Sequence, residues 1–507
     1  MMPVRKSRRK TEFGDFQTPI ALSRKITAFL LNRGLDPSSV LEPTCGRGNL
    51  LLAALDCFPS VTTALGVDIN LKYVEQTKRA LESRGYSDKA KVVQGNFFDI
   101  DWKKILDELP KPIVIIGNPP WVTNSELASL GSINLPQKSN SRNLSGLEAI
   151  TGKSNFDISE WMITHLLDCA NGNDLSVAML CKTTVARKVL MHAWAGDIRL
   201  GMLAIHLIDA KKHFDAAVDA CLLLCDTVGG ESDPICRVYS EISEDSYKTT
   251  FGFRDNRLVA DVRKYKQWKH LEGEEHYRWR SGIKHDSSKV MELRKGEHGY
   301  QNGLGELYDL EDTYIYPMLK SSEITRRGTA QPTRWMLVTQ HFVGESTSTI
   351  AHTAPKTWAY LNAHHELFAR RRSSIYKNRP PFSIFGVGEY SFAPWKVAIA
   401  GLYKELHFAV VGPYTDKPVV LDDTCYFISC QSEDEAQYLA KLLNSDTARQ
   451  FFESFIFWDA KRPVTADILR KLDLLELARE LGSKHVISEF LSPQKSAQPS
   501  VKQLSLL

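Results

Sequence analysis

The stretch Val40-Leu41-Glu42-Pro43-Thr44-Cys45-Gly46-Arg47-Gly48-Asn49 leaves an apolar strand, passes a tight glycine turn and enters the helix-like run Leu50-Leu51-Leu52-Ala53-Ala54-Leu55. Strand, glycine turn and helix in that order open a nucleotide-binding α/β fold. The turn lacks the full G-x-G-x-x-G fingerprint, and no Lys-Ser/Thr pair follows to make a phosphate loop, so a cofactor without a pyrophosphate fits better. Working outward, a second apolar strand at 64–67 ends in Asp68, about 20 residues past the turn, where an acidic side chain can accept both hydroxyls of a ribose. A third segment, Val92-Val93-Gln94-Gly95-Asn96-Phe97-Phe98-Asp99, ends in an amide and two aromatics. Asn96 is suited to hydrogen-bond an adenine ring and Phe97 to pack on its face. Further strand-like runs at 175–180, 204–208 and 220–225 alternate with amphipathic helices up to residue 228. That alternation predicts a mostly parallel sheet with helices on both faces.

After the apolar run Pro112-Ile113-Val114-Ile115-Ile116-Gly117 comes Asn118-Pro119-Pro120-Trp121. These four residues put an amide side chain, a fixed backbone carbonyl and an aromatic face side by side. An amine on a conjugated ring is a poor nucleophile, because its lone pair is delocalised. Asn118 Oδ1 and the Pro119 carbonyl can each accept one of its hydrogens and turn the lone pair toward an incoming methyl group. Proline removes competing N–H donors and fixes φ, which keeps that carbonyl aimed. Trp121 offers a stacking surface for a base taken out of a duplex.

Composition sets the outer bounds. A chain of 507 residues predicts two substantial domains, and a hydrophobic content of 43% is ample for their cores. The net charge of +4 is too small for general polyanion binding, so nucleic-acid affinity must come from local clustering. No apolar run approaches the length of a membrane span, and the basic N-terminus has no apolar stretch behind it. A cytoplasmic protein of a bacterial or archaeal cell is expected, without membrane attachment. The nine cysteines are scattered without zinc spacing, which predicts reduced thiols and no metal.

Together these segments resemble the gamma group of S-adenosylmethionine-dependent DNA adenine-N6 methyltransferases, the TaqI-type enzymes. Their order carries the resemblance: Phe13-Gly14-Asp15-Phe16-Gln17-Thr18-Pro19, then the glycine turn, the acidic strand end, the aromatic strand end, and Asn-Pro-Pro-Trp. The resemblance implies a Rossmann-like catalytic domain with S-adenosyl-L-methionine as cofactor. It implies that Thr18, Glu42, Pro43, Cys45 and Gly46 hold the methionine part, Asp68 the ribose, and Asn96 with Phe97 the adenine. Asn118 lies beside the cofactor, and Asn118, Pro119, Pro120 and Trp121 form the catalytic tetrapeptide. Phe214, in Lys212-His213-Phe214-Asp215, falls where the family places a second aromatic against the flipped base. Two positions depart from the family pattern: Asn96 replaces an acidic residue, and Arg47 stands where a small or hydroxyl residue is usual.

The domains expected are a basic tail (1–12), the catalytic domain (13–240), a connector (241–299), an α+β target-recognition domain (300–478) and a disordered tail (479–507). The stretches 314–323 and 382–401 (FSIFGVGEYSFAPWKVAIAG) carry the likeness to TaqI-type target recognition. A polar stretch, 124–155, is expected to form a flap over DNA. Arg370, Arg371, Arg372, Tyr376, Lys377 and Arg379 are the expected DNA contacts, because arginines interleaved with aromatics suit phosphates and guanine edges. The function implied is a site-specific DNA adenine-N6 methyltransferase that flips its target base. It would be the modification enzyme of a type II restriction–modification system, monomeric, acting on double-stranded DNA and paired with a separate restriction endonuclease. None of the 22 prolines precedes an aspartate, which removes the usual Pro-Asp nuclease signature. A protein-glutamine or RNA methyltransferase uses the same tetrapeptide chemistry and stays open as the alternative.

Overall fold

A computed structural model describes residues 16–123, 157–170, 174–196, 198–227, 233–325 and 331–496. The basic tail, Phe13 to Asp15, the expected flap and the chain beyond 496 lie outside the described residues. The chain divides into two compact units, Met1–Val262 and Arg263–Leu507.

The first unit is built on one ten-stranded sheet. Its strands are β1 (Ser39–Glu42), β2 (Thr63–Asp68), β3 (Ala90–Gln94), β4 (Ile113–Gly117), β5 (Leu175–Lys182), β6 (Leu203–Ile208), β7 (Ala220–Asp226), β8 (Ile235–Tyr239), β9 (Thr249–Arg254) and β10 (Arg257–Val259). The order is β10-β9-β8-β6-β7-β5-β4-β1-β2-β3. From β3 through β5 every pairing is parallel, and β7 is inserted antiparallel between β5 and β6. All residues of β1 and β4 are buried, as strands covered on both faces must be. One face packs helices α1 (Ile20–Asn32), α2 (Asn49–Cys57) and α3 (Leu71–Ser83) through Leu22, Ile26, Leu51 and Val74. Helices α4 (Trp102–Glu108), α5 (Ile158–Ala170) and α6 (Thr183–Ala195) follow β3, β4 and β5, and α5 and α6 pack on β5. A short α7 (Ala210–Phe214) leads into β7.

The stretch 241–299, expected as a connector, carries β9 and β10 of this sheet and two strands of the second unit. Short, partly exposed strands give little alternation in sequence, so composition alone reads them as linker.

The second unit has a four-stranded sheet, β11 (Arg280–Ser281), β20 (Cys425–Cys430), β17 (Trp395–Ala400) and β18 (Ala409–Val411) in that spatial order. A six-stranded sheet runs β14 (Leu307–Tyr308), β13 (Gly299–Gln301), β12 (Glu292–Gly296), β16 (Arg334–Leu337), β15 (Ile315–Leu319) and β19 (Val420–Leu421). Pairing is antiparallel except for β15 with β19. A helix over Lys484–Ser496 occupies part of the expected tail.

Candidate functional site

The connections to β2 and β3 run one way from β1, while β4 lies on the other side. A crevice therefore opens beyond the C-terminal ends of β1 and β4, the place where parallel α/β sheets bind ligands. Sequence segments 42–49, 68–70, 96–98 and 118–121 all emerge at this edge.

The glycine turn is held from several sides. Gly48, at φ 73°, is the N-cap of α2, and a Cβ there would meet Thr77 Cγ2 at 2.3 Å. Thr77 Oγ1 in turn donates to the Gly46 carbonyl at 3.2 Å. Asp68 Oδ2 accepts the Gly46 N–H at 2.7 Å, and its Oδ1 accepts the Asn70 N–H at 2.8 Å. These two bonds fix the carboxylate at the end of β2. Glu42 is buried, with Oε2 accepting the Leu51 N–H at 2.8 Å in the first turn of α2. Burial pushes its carboxyl well above the usual range, against the pull of that N–H bond. Burial, with Glu42 and Asp68 nearby, also raises the Cys45 thiol, which leaves it protonated at neutral pH. Thr18 is buried and its carbonyl accepts Asn49 Nδ2 at 2.8 Å. The Arg47 guanidinium lies over the ring of Tyr73 at 5.7 Å, and its backbone N–H donates to Gln17.

Asn118 follows β4. Its Nδ2 donates to the Phe16 carbonyl at 2.8 Å, which fixes which way the amide faces. Its Oδ1 is buried and has no hydrogen-bond partner among the described residues, and Thr44 Oγ1 shares that condition. An unpaired buried acceptor costs about 1–3 kcal/mol unless a ligand or water satisfies it. Two such atoms follow the neighbouring strands β1 and β4, at the crevice. This is the arrangement expected of a site built for a polar cofactor and an amine, so the residues present fit S-adenosyl-L-methionine.

Trp121 is 5% exposed, and its Nε1 donates to the Leu180 carbonyl at 3.3 Å. Its ring meets Phe214 edge-to-face at 5.1 Å and Phe16 at 5.9 Å. A base held between two rings needs them about 7 Å apart, twice the stacking distance. No such gap separates Trp121 from Phe214 here. Phe97 is buried against Trp102 at 4.7 Å and Trp161 at 6.2 Å, while Asn96 Oδ1 accepts the Phe98 N–H. Sequence reasoning gave no role to Thr44 or to the Phe16 carbonyl; neither carries a side-chain motif that announces it.

In the second unit the expected DNA contacts divide by environment. Arg370, Arg372, Lys377 and Arg379 are exposed. Arg371 is engaged inside the fold: its guanidinium stacks on Tyr376 at 3.7 Å and donates to the carbonyls of Ser383 at 2.6 Å and His285 at 3.3 Å. Burial lowers its pKa, and burial raises that of Tyr376. Arg371 and half-buried Tyr376 thus brace the segment that displays the other four.

Among the described residues no cluster of His, Cys, Asp and Glu is arranged to hold a metal, and no helix is long and apolar enough to cross a membrane. No family model matches the chain. A stretch of 62 residues, 12% of this chain and 38% of the relative, is 35% identical to a protein-lysine N-methyltransferase of Saccharolobus islandicus. Among solved structures, the type IIL restriction-modification enzyme MmeI in complex with DNA is similar with a TM-score of 0.53 at 13% identity, covering 97% of this chain and 70% of that one. That likeness is one of fold. The type II methyltransferase M.NspV of Nostoc sp. is 44% identical over 471 residues, 93% of this chain and 98% of that protein. Such identity over nearly the whole of both sequences has a single reading: the chain belongs to the type II methyltransferase family.

Proposed function

We propose that this chain is a site-specific DNA adenine-N6 methyltransferase, the modification enzyme of a type II restriction–modification system whose endonuclease is a separate protein. It acts as a monomer on double-stranded DNA, flips the target adenine and methylates it directly, without a covalent enzyme intermediate. The reading rests above all on Asn118, whose amide is pinned by the Phe16 carbonyl so that a buried Oδ1, without a partner among the described residues, faces away from that bond. An acceptor so placed suits an amine whose hydrogens need partners.

S-adenosyl-L-methionine supplies an electrophilic methyl group on a sulfonium. Glu42, Thr44 and the turn around Cys45 and Gly46 hold its methionine part, with Thr18 and Pro43 lining it. Asp68 takes the ribose, and Asn96 and Phe97 the adenine. Asn118 Oδ1 and the Pro119 carbonyl accept the two amine hydrogens, directing the nitrogen lone pair outward. As the nitrogen gains positive charge, both acceptors interact with it more strongly than in the ground state, which is the differential binding that accelerates transfer. The surplus proton then leaves the nitrogen for solvent, so no strong base is needed. Pro120 stiffens the turn, and Trp121 and Phe214 part to admit the flipped base between them. Arg370, Arg372, Lys377 and Arg379 face the DNA, with Arg371 and Tyr376 shaping that surface.

The test is transfer of labelled methyl from S-adenosyl-L-methionine to duplex DNA, RNA and a glutamine-bearing release-factor protein, followed by hydrolysis and identification of the product. N6-methyladenine from duplex DNA is the expected result. Label in RNA or protein alone, or in N4-methylcytosine, refutes the proposal.

A further inference from the structure

In the second unit, sequence stretches more than a hundred residues apart converge on one concavity of about 690 Å3, lined among others by Asp286, Glu292, Lys320, Arg372, Asp422 and Asp423. Gly282 permits this convergence: a Cβ there would lie 2.1 Å from the Asp422 carbonyl oxygen. Opposite charges alternate around the wall. Lys320 lies 2.6 Å from Glu292 and 3.9 Å from Asp422. Lys284 lies 3.1 Å from Asp286 and 3.7 Å from Asp423. Arg371 is committed to the carbonyls of Ser383 and His285. Arg372 is exposed, and no ion pair or hydrogen bond of its side chain exists among the described residues.

The mixture of charge discriminates between ligands. Phosphate presents only acceptors, so a phosphate track is cationic throughout, and carboxylates in it would repel the backbone. The edge of a base pair presents donors and acceptors side by side, which calls for guanidinium and carboxylate together. Of the carboxylates, Glu292 and Asp422 are largely buried and Asp286 sits against Lys284. Asp423, 35% exposed with its nearest cation at 3.7 Å, is the most available acceptor.

Resting on the reading of the chain as a DNA methyltransferase, we propose that this concavity reads a G·C pair of the target sequence in the major groove. Arg372 donates to O6 and N7 of the guanine, and Asp423 accepts from the N4 amine of the cytosine. Lys284 orients Asp423, and Arg371 stiffens the wall that presents Arg372.

The test is expression of the full chain, and of its Arg372→Gln and Asp423→Asn variants, in a host without adenine methylation, followed by sequencing that maps methylated adenines. Both changed side chains are partly or wholly exposed, and Asp423→Asn is isosteric. The unaltered protein should methylate a motif with at least one fixed G·C pair. Both variants should relax that same position and leave the others fixed, losing discrimination of roughly 5- to 150-fold there. A motif unchanged in both variants overturns the proposal. So does weaker methylation spread evenly over all sequences, which is the mark of a phosphate contact. No methylated motif for the unaltered protein overturns the DNA reading itself, and this proposal with it.

Discussion

Replacing Asn118 with alanine removes one bond and one unused acceptor, and the structure allows their consequences to be separated. The Nδ2 bond to the Phe16 carbonyl, at 2.8 Å, exists before any substrate binds. Its loss belongs to stability and should cost about 0.5–1.5 kcal/mol, the net worth of a neutral hydrogen bond. The Oδ1 acceptor has no partner among the described residues, so its loss removes no bond from the resting fold and relieves the cost of burying it, about 1–3 kcal/mol, which offsets the lost Nδ2 bond. It is felt where charge develops on the amine, where losing one such group costs about 2.7–4 kcal/mol, or 10²–10³ in turnover. Single-turnover transfer from labelled S-adenosyl-L-methionine at saturating DNA measures the second effect, and thermal denaturation the first. Equilibrium binding of S-adenosylhomocysteine should change little. Asn118→Asp keeps an acceptor toward the base but sets an oxygen against the Phe16 carbonyl, so its turnover should fall between alanine and the unaltered protein. An alanine variant with more than about a tenth of normal turnover, or one more active than the aspartate variant, would refute the reasoning.

Asp68→Ala deletes the acceptor for the Gly46 and Asn70 N–H groups, so cofactor affinity should fall more than turnover at saturation; unchanged affinity by calorimetry removes Asp68 from the cofactor site. For the aromatic pair, Trp121→Ala should slow methylation and alter the fluorescence of 2-aminopurine at the target position, by an amount matching roughly 1–3 kcal/mol of stacking, while Trp121→Phe keeps most activity. An unaltered signal with normal methylation leaves Trp121 as a core residue packed on Phe214. Lys396 is buried, its Nζ donates to the Ala393 carbonyl, and burial lowers its pKa to about 7. The folded chain then binds the proton less well than the unfolded chain, so stability should climb from pH 7 toward the ordinary lysine value by up to about 1.4 kcal/mol per pH unit. Lys396→Met should flatten that climb and raise the denaturation midpoint at pH 7; a variant with the same pH dependence as the parent sinks the assignment.

The sheet was readable where strands are central. β4 is an unbroken apolar run and β1 has Val40-Leu41 at its centre, each followed within two residues by a proline, and burial on both faces imposes that composition. β9 and β10, at one end of the sheet and largely half-exposed, escaped because they lack it. In the second unit, β11 pairs with β20 and β15 with β19, partnerships between distant segments that local pattern does not encode. At the crevice, residue type at a strand end singled out Asn118 and Asp68 and the family resemblance Glu42, and the fold brings the ends of β1, β2 and β4 together. The Phe16 carbonyl could not be announced, since every residue carries one and only the fold brings it to Asn118. The arginine run illustrates the converse. Five cations among aromatics look alike in sequence, yet stacking on Tyr376 and bonds to three carbonyls separate Arg371 from its neighbours.

The bond between Phe16 and Asn118 joins segments 102 residues apart and makes one amide answer to two ligands. Phe16 lies two positions before Thr18, on the strap that borders the crevice, and the same amide keeps its Oδ1 buried without a partner among the described residues. If the strap holds the cofactor and Asn118 the base, as proposed, whatever draws the strap tighter also aims the acceptor, and by reciprocity a seated base strengthens the grip on the cofactor by the same factor. On the proposed reading, cofactor analogues differing only near the methionine group should therefore tune how tightly the extruded base is held, in addition to the direct contact between amine and methyl group.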